Sequence, residues 1–222
     1  MASVQEAIQK AREAAADAVV VDHESSTAVA VAQAPAAPPM TFMAPSMETL
    51  AVNSGISKSV ETWIKVSEFG INIGTDRTPL FETVKVKILM AENDGFFVKH
   101  TIKTRAGEYY SCYDGTTCDK GGLFSDAVAR VQRMEPEQKV YASADIIFIL
   151  DEDVKLKDKT LPAGTKLGHT TSMSNWQNWA EFYRDVAKAG LLGQEVEAVV
   201  GFDTVTSKKN GKTWGVLNFK LA

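Results

Sequence analysis

Apolar and polar residues alternate over Phe81–Ala91 and again over Phe96–Lys103, with Asn93-Asp94-Gly95 between the two runs. A period of two marks half-buried strands, and a three-residue loop ending in glycine predicts a hairpin with a bulge. Counted back from that loop, Met90 faces Val98, Ile88 faces His100 and Val86 faces Ile102 on the inward side. The outward side pairs Ala91 with Phe97, Leu89 with Lys99, Lys87 with Thr101 and Lys85 with Lys103. Loops of two or four residues would mix the faces. His100 is thereby expected as a core histidine.

Further along, Glu108–Tyr113 predicts a third strand, and Leu123–Met134 a helix with Val128 and Val131 inward and Pro136 beyond its end. Val140–Leu150 is increasingly apolar, as a buried central strand would be. Val154–Leu167 reads as irregular connection with a turn at Pro162–Gly164. Ser174–Ala189 predicts the strongest helix, with Ser174 as its cap, Gln177 three residues on, Gly190 as its stop, and Trp179, Phe182 and Val186 as its buried stripe. Asn210-Gly211 predicts a closing hairpin with a two-residue turn. That turn pairs Phe202 with Phe219, Thr204 with Leu217 and Val200 with Leu221 on the core face, and Val205 with Val216, Ser207 with Trp214 and Lys209 with Lys212 on the other.

Antiparallel strands interrupted by helices, without strand–helix–strand alternation, indicate a mainly β fold with helical additions, best matched by an OB-like curved antiparallel barrel. The first 51 residues read differently. An Ala-rich helical period over residues 4–19 precedes the stretch 28–45, which holds Pro35, Pro38, Pro39 and Pro45. Prolines fix the backbone extended and remove donors, so residues 1–51 are expected as a flexible arm and residues 52–222 as the folded domain. No internal repeat stands out.

Charge narrows the function classes. The whole net charge of −4 falls within the first 57 residues, and the remainder is balanced. A protein that coats duplex DNA by charge alone is therefore not expected. Two cysteines, Cys112 and Cys118, are too few to staple a secreted fold, and their spacing is not that of a zinc finger or ribbon. Acidic residues interrupt the N-terminal Ala/Val stretch, so no signal peptide is expected, and no apolar run reaches the roughly 20 residues that span a bilayer. These features point to a cytoplasmic protein without membrane contact.

The chain carries no G-x-S-x-G, Walker loop, H-E-x-x-H or G-x-G-x-x-G, so neither an enzyme nor a cofactor is expected. Asp151-Glu152-Asp153 lacks the spaced oxygens and glycine of a calcium loop, and no metal site is expected. The suggestive chemistry lies on the two outward hairpin faces. On the first, Lys85 stands opposite Lys103, with Lys87, Lys99, Arg105 and Phe97 nearby. Opposed like charges cost roughly 0.2–1 kcal/mol, a cost that a bound polyanion reverses. On the second, Trp214 projects beside Lys209, Lys212 and Lys220. Tyr109, Tyr110 and Tyr113 add rings. Aromatic rings among lysines on a strand form a base-stacking platform with phosphate contacts.

The block Gly168–Gly193, with Asn175-Trp176-Gln177-Asn178-Trp179 and Ala189-Gly190-Leu191, followed by Lys209-Asn210-Gly211-Lys212-Thr213-Trp214-Gly215-Val216-Leu217-Asn218-Phe219, resembles phage-type single-stranded DNA-binding proteins of OB fold. The resemblance implies coating of single-stranded DNA during replication or recombination, in the host cytoplasm if the chain is phage-encoded. Single-stranded DNA is then the expected partner, with RNA second and self-association left open. Such proteins often end in an acidic tail, whereas this sequence ends Asn218-Phe219-Lys220-Leu221-Ala222 and its acidic segment is N-terminal. The rival expectation is a virion structural or assembly protein, whose arm threads into a neighbour and whose Trp214 anchors an interface.

Overall fold

The computed structural model describes residue 56 and residues 59–75, 78–208 and 210–222. The expected arm, its helix over residues 4–19, the boundary at residue 51 and Lys209 lie outside these residues. Eleven strands and two helices follow in the order β1 (Thr62–Ser67), β2 (Gly70–Ile73), β3 (Thr83–Leu89), β4 (Phe96–Lys103), β5 (Tyr109–Cys112), α1 (Phe124–Met134), β6 (Tyr141–Leu150), β7 (Val154–Lys155), β8 (Thr160–Leu161), β9 (Lys166–Thr170), α2 (Met173–Lys188), β10 (Glu195–Thr206) and β11 (Thr213–Leu221). The fold is mainly β with two helices among the described residues. Its main sheet runs β11-β10-β3-β6-β9-β1-β2, with β4 and β5 branching from β6. The sheet is mixed and does not close, because β1 joins β9 in parallel and β2 and β11 end the path.

The expected central strand organises everything. β9 lies along one edge of β6, from Asp145 to Ile149. The other edge is shared: β4 covers Tyr141–Ile146 and β3 meets Ile149 and Leu150. β3 and β4 therefore do not pair with each other, which corrects the first hairpin. At the bend between them Asn93 takes φ 69°, and its N–H donates to the Phe96 carbonyl at 2.8 Å. Alternation fixes which face each residue takes, not which strand lies beside it. The faces accordingly hold while the partners change. Val84, Val86, Ile88, Phe96 and Ile102 are buried on one side, and Lys85, Lys87, Lys99 and Lys103 alternate with them. The opposition of Lys85 and Lys103 is lost, since Lys85 stands opposite Val199 and Lys103 opposite Tyr109. His100 is exposed, another correction. It lies between Val98, packed on the main core, and Ile102, which is buried outside it.

α2 supplies the lid of that core. Its buried stripe is Trp179, Phe182 and Val186, as its period predicts, with Asn175 buried as well. Trp179 meets Phe96 edge-on at 5.4 Å and Phe219 at 5.6 Å, and Phe219 contacts Phe148 at 6.2 Å. The cap is Ser172, whose hydroxyl accepts from the Asn175 N–H at 3.3 Å, not Ser174. On α1, Ala127 and Val131 are buried and Val128 is half-buried.

The closing hairpin forms with its register shifted by two. Val200 stands opposite Phe219, Phe202 opposite Leu217 and Val205 opposite Trp214. The Ser207 N–H donates to the Lys212 carbonyl and the Gly211 N–H to the Ser207 carbonyl, both at 2.9 Å, so the loop has four residues instead of two. Gly211 takes φ +66°, which glycine adopts without steric penalty. A shift of two keeps each residue on its face, so Val200 and Leu217 are still core. Three residues depart from the expectation: Val216 is buried, and Thr204 and Leu221, expected on the core face, are exposed. Strands β1, β2 and β9, and the small β7–β8 pair within the expected irregular connection, are additions to the sequence reading.

Candidate functional site

The non-core faces of β4, β5 and β6 form the floor of an open cleft of about 750 Å³. Registers set the rows: Lys103 beside Tyr109, Thr101 between Ser111 and Tyr141, Lys99 beside Ser143, and Phe97 beside Asp145. Thr170 of β9 adjoins Asp145 on the far edge. Apart from Phe97 the residues on this face carry polar groups, while the intervening Ala144, Ile146 and Phe148 face the core. Met173 and Ser174, at the start of α2, form one rim, and Glu137, Gln138 and Lys139 another.

Burial of the floor is offset by pairing. Lys99 Nζ lies 2.7 Å from Asp145 Oδ1, and both side chains are nearly inaccessible. The Tyr113 hydroxyl donates to Asp145 Oδ2 and the Thr170 hydroxyl to Oδ1, each at 2.6 Å. Lys99 also donates to the Tyr113 oxygen at 3.2 Å. Burial and the adjacent Asp145 carboxylate push the Tyr113 phenol far above its ordinary value, so it stays a neutral donor. Beside this quartet Thr101 lies 3.1 Å from both Ser111 and Ser143, hydroxyl to hydroxyl. The buried charge of the floor is thus neutralised, and the Thr101, Ser111 and Ser143 hydroxyls are buried and satisfied by one another.

A second cleft of about 410 Å³ shares Thr170 and Ser172 with the first and adds Trp63, Lys65 and Trp214. Ile64 is buried in the core and Val66 packs against it, so β1 turns Trp63 and Lys65 the other way. Trp63 stands opposite Gly168, where a Cβ would lie 3.1 Å from its ring, so the small residue gives the indole room. Trp214 is half-buried, and its indole N–H donates to the Ser174 hydroxyl at 3.2 Å. The Asn-Trp-Gln-Asn-Trp segment performs structural work at this point. Asn175 Oδ1 accepts from the Leu217 N–H at 3.0 Å, and the Asn178 amide donates to the Leu217 carbonyl at 2.7 Å. Together they cap part of β11 as a paired strand would.

His169 lies under this second cleft. Its Nδ1 is 3.2 Å from the Ile64 carbonyl, which only accepts, so Nδ1 carries the proton and Nε2 faces the Asn175 amide at 3.4 Å. Burial pulls the imidazole down to about 4 from 6.5, against the Ile64 carbonyl and the Asp145 carboxylate, which favour the cation. The unfolded chain takes up a proton on His169 below about 6.5 and the folded protein only near 4. This contribution to stability is therefore complete above pH 6.5 and falls as pH drops toward 4, by up to about 3 kcal/mol. Urea denaturation at stepped pH should show His169→Gln with a shallower acid loss than wild type. Equal slopes would contradict the assignment.

Of the residues singled out from sequence, Lys99, Lys103 and Tyr109 meet in the first cleft and Trp214 joins from the second. Lys103 Nζ sits 4.8 Å over the Tyr109 ring. Phe97 shares the floor's face but does not line either cleft. Lys85 and Lys87 are paired with Glu152 and Asp151 at 3.2 and 3.3 Å, and Arg105 with Glu137 at 2.6 Å. Those acids neutralise what the sequence suggested was a lysine field. Tyr110 lies on the other face of β5, opposite Ile102. Lys212 and Lys220 are exposed and line neither cleft.

No protein-family model, curated protein or solved structure matches the chain. The site stands on its own geometry. Sequence reasoning missed Trp63, Lys65, Lys139 and Tyr141. The signal for the first two was available: Trp63-Ile64-Lys65-Val66 alternates apolar residues with an aromatic and a lysine, as β11 does. Cys112 and Cys118 are buried free thiols. Burial, with Asp114 alongside, pushes Cys112 up to about 11, and burial raises Cys118 too, so neither offers a thiolate near neutral pH. Among the described residues no three His, Cys, Asp or Glu converge as metal ligands.

Proposed function

We propose that the protein binds single-stranded DNA without catalysing a reaction, laying one strand along the two joined clefts. The observation that carries this reading is their continuity through Thr170 and Ser172, with rings and lysines on both sides. Tyr109 and Tyr141 lie on one side, and Trp63 and Trp214 on the other. Among the described residues Lys65, Lys103 and Lys139 have no carboxylate partner. Rings offer every base a stacking face, and unpaired lysines offer phosphates a counter-charge. Stacking on rings favours no one base, which suits coating in replication or recombination, as the resemblance implies.

The same reading takes the sheet as an OB-like curved barrel left unsealed. Support comes from Gly215 of β11, the first strand of the path, where a Cβ would run into the Ser67 carbonyl of β1, the last but one. It also takes the protein to act in the cytoplasm. The test is a tryptophan-fluorescence titration with oligo-dT at two salt concentrations, with oligo-rU as the RNA arm. Quenching that weakens steeply with salt, at about 0.7 in log–log slope per phosphate contact, is expected. Absence of any saturable quenching at low salt would remove the proposal. The assembly rival has Phe69, 71% exposed in the β1–β2 turn, as its anchor, and salt-insensitive self-association would favour it.

A further inference from the structure

The edge strand β5 bonds to β4 alone and carries two consecutive tyrosines. Consecutive residues of a strand face opposite ways, and here both rings are dressed with cations. Tyr109 faces the cleft beneath Lys103. Tyr110 faces the α1 side, where Lys120 Nζ lies 4.3 Å and Arg130 Cζ 5.0 Å from its ring centre. Its hydroxyl donates to Glu108 at 3.1 Å. Asp126 stands one turn before Arg130 on α1 without forming an ion pair with it. Lys120 and Arg130 are exposed, and among the described residues neither has a carboxylate partner. Each cation is gathered at the same ring without an acid to neutralise it, so a phosphate that reaches this side meets two positive charges.

We infer that the bound strand does not stop at Tyr109 but turns around the β5 edge, so that Lys120 and Arg130 hold its continuing phosphates on the α1 side. This extension rests on the proposed single-strand binding in the clefts. Its partner is the same strand, in a stretch longer than the clefts can hold. Short oligonucleotides should therefore be indifferent to the α1-side cations, and longer ones should not.

The test compares oligo-dT of about 6 and about 16 nucleotides, spanning the site sizes typical of a single-strand-binding fold. Lys120→Gln/Arg130→Gln, checked for an unchanged melting curve, should bind the short oligomer as wild type does. It should bind the long one about three- to tenfold more weakly, with a salt slope shallower by about 1.4, for two lost phosphate contacts. If both lengths bind the variant as tightly as wild type, the strand does not turn the edge, though binding in the clefts stands. If wild type binds neither length, the cleft reading itself has failed and takes the extension with it. Should the variant melt early, amine-reactive labelling of Lys120 in wild type replaces it. Protection by the long oligomer and not the short supports the path, and protection by neither overturns it.

Discussion

Asp145→Ala should lower the unfolding free energy by about 3–5 kcal/mol, the largest loss expected from a single polar substitution in this protein. Removing the carboxylate strands the Lys99 ammonium in a site where only 9% of its side chain is accessible, and leaves Tyr113 and Thr170 without their acceptor. The effect comes from breaking the pair, not from any large net value of the pair itself. Replacing both partners together, as Lys99→Met/Asp145→Leu, should recover most of the loss, because no uncompensated charge is then buried. Urea denaturation of the three proteins checks this. A double variant no more stable than Asp145→Ala would show that the network fixes the floor's shape and not merely its charge.

Trp214→Ala should weaken oligo-dT binding by about five- to a hundredfold, since one stacked base contributes roughly 1–3 kcal/mol. Its stability should fall much less, by about 1–2 kcal/mol, for a half-buried ring and its hydrogen bond to Ser174. Trp214→Phe separates the two roles: it keeps a ring for stacking and loses the Ser174 bond. Binding close to wild type in the Phe variant, with a small drop in melting temperature, is the expected pattern. Equal loss of binding in both variants would assign Trp214 to positioning α2 instead.

The elements that period alone determines were legible in the sequence. α2 declared its stripe through Trp179, Phe182 and Val186, and β6 its central place through its apolar run. Most faces were legible too, because a two-residue slip in the closing hairpin leaves Val200 and Leu217 inside, though His100, Thr204 and Leu221 lie exposed and Val216 buried. Partners were not. Nothing in the alternation of β3 and β4 says that both will share one edge of β6, and the supposed Lys85–Lys103 pair dissolved with that assumption. β1 and β9 escaped notice for a related reason: both are short, and the parallel contact that joins them links residues far apart in the chain, so the weak alternation within β1 did not show what it would pair with. Half of the candidate site, Trp63 and Lys65, went unseen with β1.

The charge pattern misled in an instructive way. Lysines on an outward face look free when read along one strand. Asp151 and Glu152, read as a solvated turn, fold back beside Lys87 and Lys85 and neutralise them. Lys99 is buried against Asp145, because β6 places that carboxylate beside it across the cleft floor. Several described lysines form no ion pair, Lys120, Lys212 and Lys220 among them, and of these Lys65, Lys103 and Lys139 line the two clefts. Only the folded arrangement separates them from the rest.

Whether a single strand occupies the joined clefts is tested most directly by photo-cross-linking. A halogenated oligo-dT is irradiated in complex with the full chain, and the attached peptides are located by mass spectrometry. Attachment at Tyr109 or Tyr141 and, in the same complex, at Trp63 or Trp214 is the expected result, since those rings line the two halves of the groove. Attachment confined to the loop between β10 and β11, or to any surface away from both clefts, would contradict it.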